Sequence, residues 1–227
     1  MDSITVFAPG TVANLGPGFD ILGVAVEGIG DWVTATLQDE TGVVIDSIEG
    51  DAGRLSWEPG ENTAGIAARE VLERLGVTGM GVALRVRKGL PLGSGLGSSG
   101  ASAAAAAWAV NVLFNQPLSK EELLHAGLVA EGAVSGWHAD NIGPSLLGGF
   151  VLVRAYDPLD VIELPTPHGL LFALVTPETE LSTRQARSAV PETVSLSQHV
   201  ENSGNLAALI AALFAGSISR LGRAVQD

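Results

Sequence analysis

Ten residues, Pro91-Leu92-Gly93-Ser94-Gly95-Leu96-Gly97-Ser98-Ser99-Gly100, set four glycines and three serines in front of the alanine-rich run Ala101–Phe114. Glycines admit positive φ and close backbone approach, so several N–H groups can face one anion. A helix beginning there adds the favourable field of its unpaired N–H groups. Ser98 and Ser99 can offer hydroxyls to a metal ion or to phosphate oxygens. A lysine-bearing phosphate loop is excluded, because no lysine lies between Lys88 and Lys120. Gly95–Gly100 matches G-x-G-x-x-G, but the context for dinucleotide binding is wrong: the preceding strand carries Arg85 and Arg87 on one face, and a turn, not a second strand, follows about 20 residues on. A phosphate loop over a helix N-terminus and a plain glycine-rich turn into a packed helix both stay open.

Other groups have types suited to chemistry. Asn14 and Asp20 flank a Gly-Pro-Gly turn, where they satisfy nearby backbone or, for Asp20, accept from a ligand ammonium or hydroxyl. Glu131 stands at a helix end beside a glycine, where a carboxylate is ordinarily solvated and less often a metal ligand. His138, Asp140 and Asn141 fall within four residues, without further ligands at zinc spacing; His125, His168 and His199 are isolated. Gly93–Gly97 has glycine at its centre, so it is no nucleophile elbow. Arg184 and Arg187, three apart on a predicted helix, share a face that either grips a carboxylate or is merely solvated.

These residues need elements to hold them. The patterns predict strands over "SITVFAPG", "DWVTATL", "MGVALRVRKG" and "FVLVRAY", with "TGVVIDSIEG" as the antiparallel neighbour of "DWVTATL" across a turn. Thr63–Leu75 has helical periodicity ending at Gly76, and Ser119 with Glu122 forms a capping box for the next helix. Pro158, Pro165 and Pro167 mark a boundary, after which "GLLFALVTP" reads as the first strand of a second unit, followed by helices to Asp227. The class expected is α+β in two units, residues 1–165 and 166–227.

Composition narrows the function. A net charge of −13 argues against a nucleic acid partner, and the longest apolar helix candidate is too short for a bilayer and contains Asn111. With no cysteine, disulfides and thiolate sites are excluded, and nothing at the N-terminus reads as a secretory signal, so the expected location is cytoplasmic.

In this order the motifs resemble one family. "PLGSGLGSSG" before an alanine-rich helix resembles the ATP-binding motif of the GHMP kinases; "APGTVANLGPGFDILGVAV", "HADNIGPSLLGG" and "STRQARSAVP" are similar to homoserine kinases within them. The resemblance implies an N-terminal α+β nucleotide-binding domain and a C-terminal ferredoxin-like α/β domain, here truncated, with the site between. It implies phosphorylation of L-homoserine by ATP in threonine biosynthesis, with Mg²⁺. Pro91, Leu92, Gly93, Ser94, Gly95, Leu96, Gly97, Ser98, Ser99, Gly100 and Ala101 would wrap the phosphates, and Ser98 and Glu131 would hold the metal. Asn14, Asp20, His138, Asn141 and Arg187 would line the homoserine site, with Asp20 on the ammonium and Arg187 on the carboxylate. Asn141 stands where related kinases use an aspartate base, so catalysis would rest on positioning and charge neutralisation, with Asn141 and Asp20 central. Alternatives are another GHMP small-molecule kinase or a non-catalytic nucleotide-binding relative. Gly100 replaces the family's usual alanine, a small change that loosens the helix start. Family segments beyond Asp227 are missing, so weak or no activity, or completion of the sheet by association, as in a homodimer, is expected.

Overall fold

The structure, a computed structural model, describes residues 2–134, 136–175 and 183–226, excepting the side chains of 183–185. Its frame is a six-stranded sheet built on one long strand. β1 (Ser3–Ala13) pairs antiparallel with β2 (Leu22–Gln38) along nearly its whole length. β3 (Gly42–Glu49) leads through a 3-10 turn (Pro59–Glu61) and α1 (Thr63–Arg74) to β4 (Gly81–Arg87). α2 (Ser98–Leu113), α3 (Lys120–Val134) and α4 (Ala139–Leu147) follow, then the hairpin β5 (Phe150–Tyr156) and β6 (Leu159–Leu164). The chain continues through α5 (Thr183–Ser188), α6 (Leu196–Phe214) and α7 (Ile218–Ala224).

Val24 pairs with both Val12 and Phe150, and Val33 with both Val6 and Val86. β1 therefore holds one edge of β2, while β5 and β4 share the other, one at each end. β3 differs from expectation: it is not the antiparallel neighbour of β2, but pairs parallel with β4 at the sheet edge. Both edges of β2 are taken, and the β3–α1–β4 crossover lays β3 beside β4 in the parallel sense such a connection imposes.

α2 is the buried axis. Ala101, Ala103–Ala107 and Ala109 are fully buried, and these small side chains let the helix lie close to β1, β2, α1 and α3. A second apolar cluster joins Leu22, Val24, Phe150 and Leu164 of the sheet to Leu209, Ala212, Leu213, Leu221 and Ala224 of α6 and α7. The predicted terminal helical stretch breaks at Gly216, whose φ of 60° ends α6.

The strand expected over 169–177 does not form in 169–175, and positions 176 and 177 lie outside the described residues. No described strand runs beside it to take its backbone hydrogen bonds, and Leu171 and Val175 stay about nine-tenths exposed. Of the expected ferredoxin-like unit, the described residues after Leu164 contribute helices alone.

Candidate active site

The glycine-serine loop leaves β4 and ends on α2. Gly93, Gly95 and Gly97 all take positive φ, and Gly97 is the left-handed N-cap of the helix. α2 starts at Ser98, three residues before the alanine run, so Ser98, Ser99 and Gly100 form its first turn. Their N–H groups are the helix's open donors. Ala101 departs from expectation: its N–H already bonds the Gly97 carbonyl at 2.9 Å and its side chain is fully buried, leaving nothing for a phosphate. Leu96 O accepts from Thr11 N at 3.0 Å, and Ser99 O from Thr63 Oγ1 at 3.1 Å, which fixes the loop to β1 and α1.

The Ser98 hydroxyl is buried with no hydrogen-bond partner among the described residues, the state expected of an oxygen that takes a ligand. Glu131, in the last turn of α3, is 3% exposed, which rejects the solvated reading. Its charge reaches both Lys88 and Asp140. No cluster of three or more metal-ligating His, Cys, Asp or Glu side chains occurs among the described residues. A hydroxyl and one carboxylate fit Mg²⁺, which keeps waters and takes substrate phosphates as its remaining ligands.

α4 brings Asn141 to the loop. A Cβ on Gly97 would lie 2.8 Å from Asn141 Oδ1 and would collide with the Thr11 hydroxyl. Gly100, read from sequence as a loosening of the helix start, sits where a Cβ would come within 3.3 Å of Ile142 N, so it also allows α2 and α4 to approach. Asn141 Oδ1 accepts from Thr11 Oγ1 at 2.8 Å, which orients the amide so that its NH₂ remains to donate. Asp140 is buried with one carboxylate oxygen unpartnered among the described residues, and burial, then the charge of Asp20, pushes its pKa up to about 6.

The amino-acid-like charges meet across the chain. Asp20 Oδ1 accepts from Arg187 Nη2 at 2.5 Å, and Arg187 Nη2 lies 3.2 Å from His138 Nδ1. Burial and the Arg187 charge hold His138 below its ordinary pKa, outweighing Asp20. The ring is therefore neutral at pH 7, its Nδ1 accepts from Arg187, and its 3.8 Å approach to Asp20 is no ion pair. Arg187 Nε is buried and has no partner among the described residues, and the guanidinium stands 5.5 Å from the Phe19 ring. Asn14 serves the turn itself: its Oδ1 accepts from Asp20 N at 2.9 Å, with Asn14, Leu15 and Asp20 all at positive φ. Arg184's side chain lies outside the described residues.

Sequence reasoning missed Thr11, Asp31, Ser102 and Tyr156. The Tyr156 hydroxyl accepts from Ala139 N at 3.1 Å, doing for α4 what a capping side chain does elsewhere. Asp31, Lys88 and Ser102 form a buried network beneath the loop. Asp31 lies on β2, Lys88 just past the end of β4 and Ser102 on α2, so no local spacing links them.

The glycine loop, the helix it opens, the buried Ser98 hydroxyl and Glu131 fall within residues 62–149, which match the family model for the GHMP kinases N terminal domain. The fold is shared with Leishmania major mevalonate kinase at a TM-score of 0.64 and 18% identity, covering 98% of this chain and 72% of that one. A curated homoserine kinase from Arabidopsis thaliana is 49% identical over 230 residues, 99% of this chain and 62% of that protein. One from Chlorobium phaeobacteroides is 43% identical over 237 residues, 100% of this chain and 74% of its own length. The crystal structure of homoserine kinase from Cytophaga hutchinsonii superposes with a TM-score of 0.92 at 44% identity, covering 100% of this chain and 72% of that one. The chain belongs to the homoserine kinase family, and spans 62% to 74% of the length of these relatives.

Proposed function

We propose that this chain carries the ATP- and L-homoserine-binding groups for transfer of the γ-phosphoryl group to the homoserine hydroxyl. The observation that carries the reading is the close approach of Gly97, the N-cap of α2 at the end of the loop, to Asn141, whose helix is preceded by His138. Asp20 and Arg187 are paired with each other at 2.5 Å, and a zwitterionic amino acid exchanges that pair for two of its own: ammonium to Asp20, carboxylate to Arg187. The buried Nε of Arg187 supplies a second donor for the carboxylate.

The open N–H groups of Ser98, Ser99 and Gly100 receive phosphate oxygens along the α2 axis. Mg²⁺ held by Ser98 and Glu131 supplies neutralisation of phosphate charge when bound. Asn141 presents a donor, because Thr11 occupies its oxygen, so it orients the hydroxyl oxygen or a phosphate oxygen and takes no proton. His138, neutral, positions Arg187. In this reading residues 1–165 supply the nucleotide side and part of the acceptor site, and residues 166–227 supply Arg187.

Incubation with Mg-ATP and a panel of homoserine, mevalonate, shikimate and sugars, followed by phosphorus NMR, tests it. O-phosphohomoserine forms in preference to the other products, and Asp20→Asn and Arg187→Met each raise the homoserine KM by about tenfold or more while leaving the KM for ATP near wild type. Preferential phosphorylation of another substrate, or ATP binding without turnover of any, refutes it.

A further inference from the structure

The lysine missing from the loop lies behind it. Lys88 is the last residue before the loop turns away from β4, and its side chain is 2% exposed. Its ammonium donates to the Asp31 carboxylate, to the Ser98 carbonyl at 2.8 Å and to Ser102 Oγ at 2.7 Å. Asp31, fully buried on β2, is saturated by the same cluster. One oxygen takes the N–H groups of Gly89 and Leu90 at 3.0 and 3.2 Å, and the other takes Lys88 and the Ser102 hydroxyl, the latter at 2.9 Å. One carboxylate thus ties down the entrance of the loop and, through Lys88 and Ser102, the first turns of the helix at its exit.

All three Lys88 donors point to protein, so this lysine is not placed as a phosphate ligand. The interior charge is not there for stability alone, since buried ion pairs are often no better than apolar packing of the same volume. What it holds is Ser98, whose buried hydroxyl has no hydrogen-bond partner among the described residues, in the first turn of α2. Lys88 also lies within the field of Glu131, the other proposed metal ligand.

We propose that Lys88, fixed by Asp31 and Ser102, is a positioning residue for Mg-ATP: by holding the Ser98 carbonyl it sets the direction of the Ser98 hydroxyl and of the N–H groups beside it. This rests on the reading of the loop as the nucleotide site. The partners of a ligating group orient it, and their loss typically costs 10–100-fold in affinity or activity.

Two variants test it. Lys88→Met/Asp31→Asn removes both interior charges together, keeps an amide oxygen for Gly89 and Leu90, and avoids leaving one charge unpaired. Ser102→Ala removes one Lys88 partner with almost no change in volume. In the double variant the KM for ATP and the Mg²⁺ concentration for half-maximal rate rise by about tenfold or more, while the homoserine KM stays within about twofold of wild type. Ser102→Ala moves the same two quantities in the same direction by about threefold. A purely structural role lowers the urea midpoint and leaves both quantities unchanged in the folded protein, and that result overturns the proposal, as does an unchanged ATP KM in Ser102→Ala when the double variant does not fold. A wild-type chain that binds no Mg-ATP overturns the nucleotide-site reading and this inference with it. A wild type that binds Mg-ATP beside folded variants that bind it equally well overturns the inference alone.

Discussion

Asp140 holds a carboxylate where burial and the negative charge of Asp20 oppose ionisation, so its pKa stands at about 6 against 3.8 for the free group. A group whose folded-state pKa is raised stabilises the fold only while protonated. Its contribution is complete below 3.8 and is lost as pH rises through about 6. The gap between the two values corresponds to about 3 kcal/mol. Asp140→Asn removes the ionisation, so its stability relative to wild type improves between pH 4 and pH 8 by about 2 kcal/mol. Urea unfolding of both proteins at the two pH values measures this; an equal difference at both rejects the burial argument. At this scale Asn141 and Arg187 entered the candidate site through the family resemblance, while the loop glycines, the paired serines and Asp20 carry their chemistry in their types and local spacing. Lys88 and Asp31 do not. They are 57 positions apart, and only the pairing of β2 with β4 brings their ends together. Ala101 was misjudged because the helix begins at Ser98, which moves its N–H into the first intrahelical bond.

Helix α4 carries Asn141 and follows His138, and it sits on β2 through a position without a side chain. A Cβ on Gly23 would collide with the Asp140 carbonyl and come within 2.9 Å of Pro144 Cγ. The obstacle is helix backbone, so no rotamer change relieves it. α4 is further tied by Ser145 Oγ to Pro9 O at 2.8 Å and by Ala139 N to the Tyr156 hydroxyl at 3.1 Å. Gly23→Ala therefore destabilises the fold by about 1–3 kcal/mol and displaces Asn141 from the loop. Turnover falls by about tenfold or more in the fraction that remains folded, as steady-state kinetics below the melting transition would show. A variant with wild-type kinetics and melting temperature contradicts the contact. Elements set by local signals were readable: α1 ends before Gly76, and Ser119 and Glu122 form the expected capping box, with Glu122 Oε2 accepting from Ser119 N at 2.8 Å. Strand partners were not, because alternation gives a strand a face but not a neighbour. That is why β3 was assigned to the wrong side and 169–175 to a strand.

Across the whole molecule the glycine-serine loop and the Asp20 turn rest on different apolar clusters. The loop stands on the cluster around α2, where Leu90, Ala101 and Ala104 are packed with Val86 and Leu123. The Asp20 turn stands instead against α6 and α7. Asn202 Nδ2 donates to Pro17 O at 3.2 Å, and a Cβ on Gly16 would come within 2.6 Å of Val225 O. Beneath that turn, Leu209, Ala212 and Leu213 of α6 meet Leu22, Val24 and Phe150 of the sheet. Damage to the second cluster should therefore reach the amino acid before it reaches the nucleotide. Leu213 is 1% exposed, and Leu213→Ala removes a buried side chain at a cost of about 2–5 kcal/mol. At a temperature where the variant is folded, the homoserine KM rises severalfold, since the turn holding Asp20 loses its support, while the Kd for Mg-ATP by calorimetry stays within about twofold of wild type. Leu90→Ala, beneath the loop, reverses the pattern and weakens Mg-ATP first. If both variants weaken both ligands equally, the two clusters act as one cooperative unit and the separation drawn from the packing is wrong.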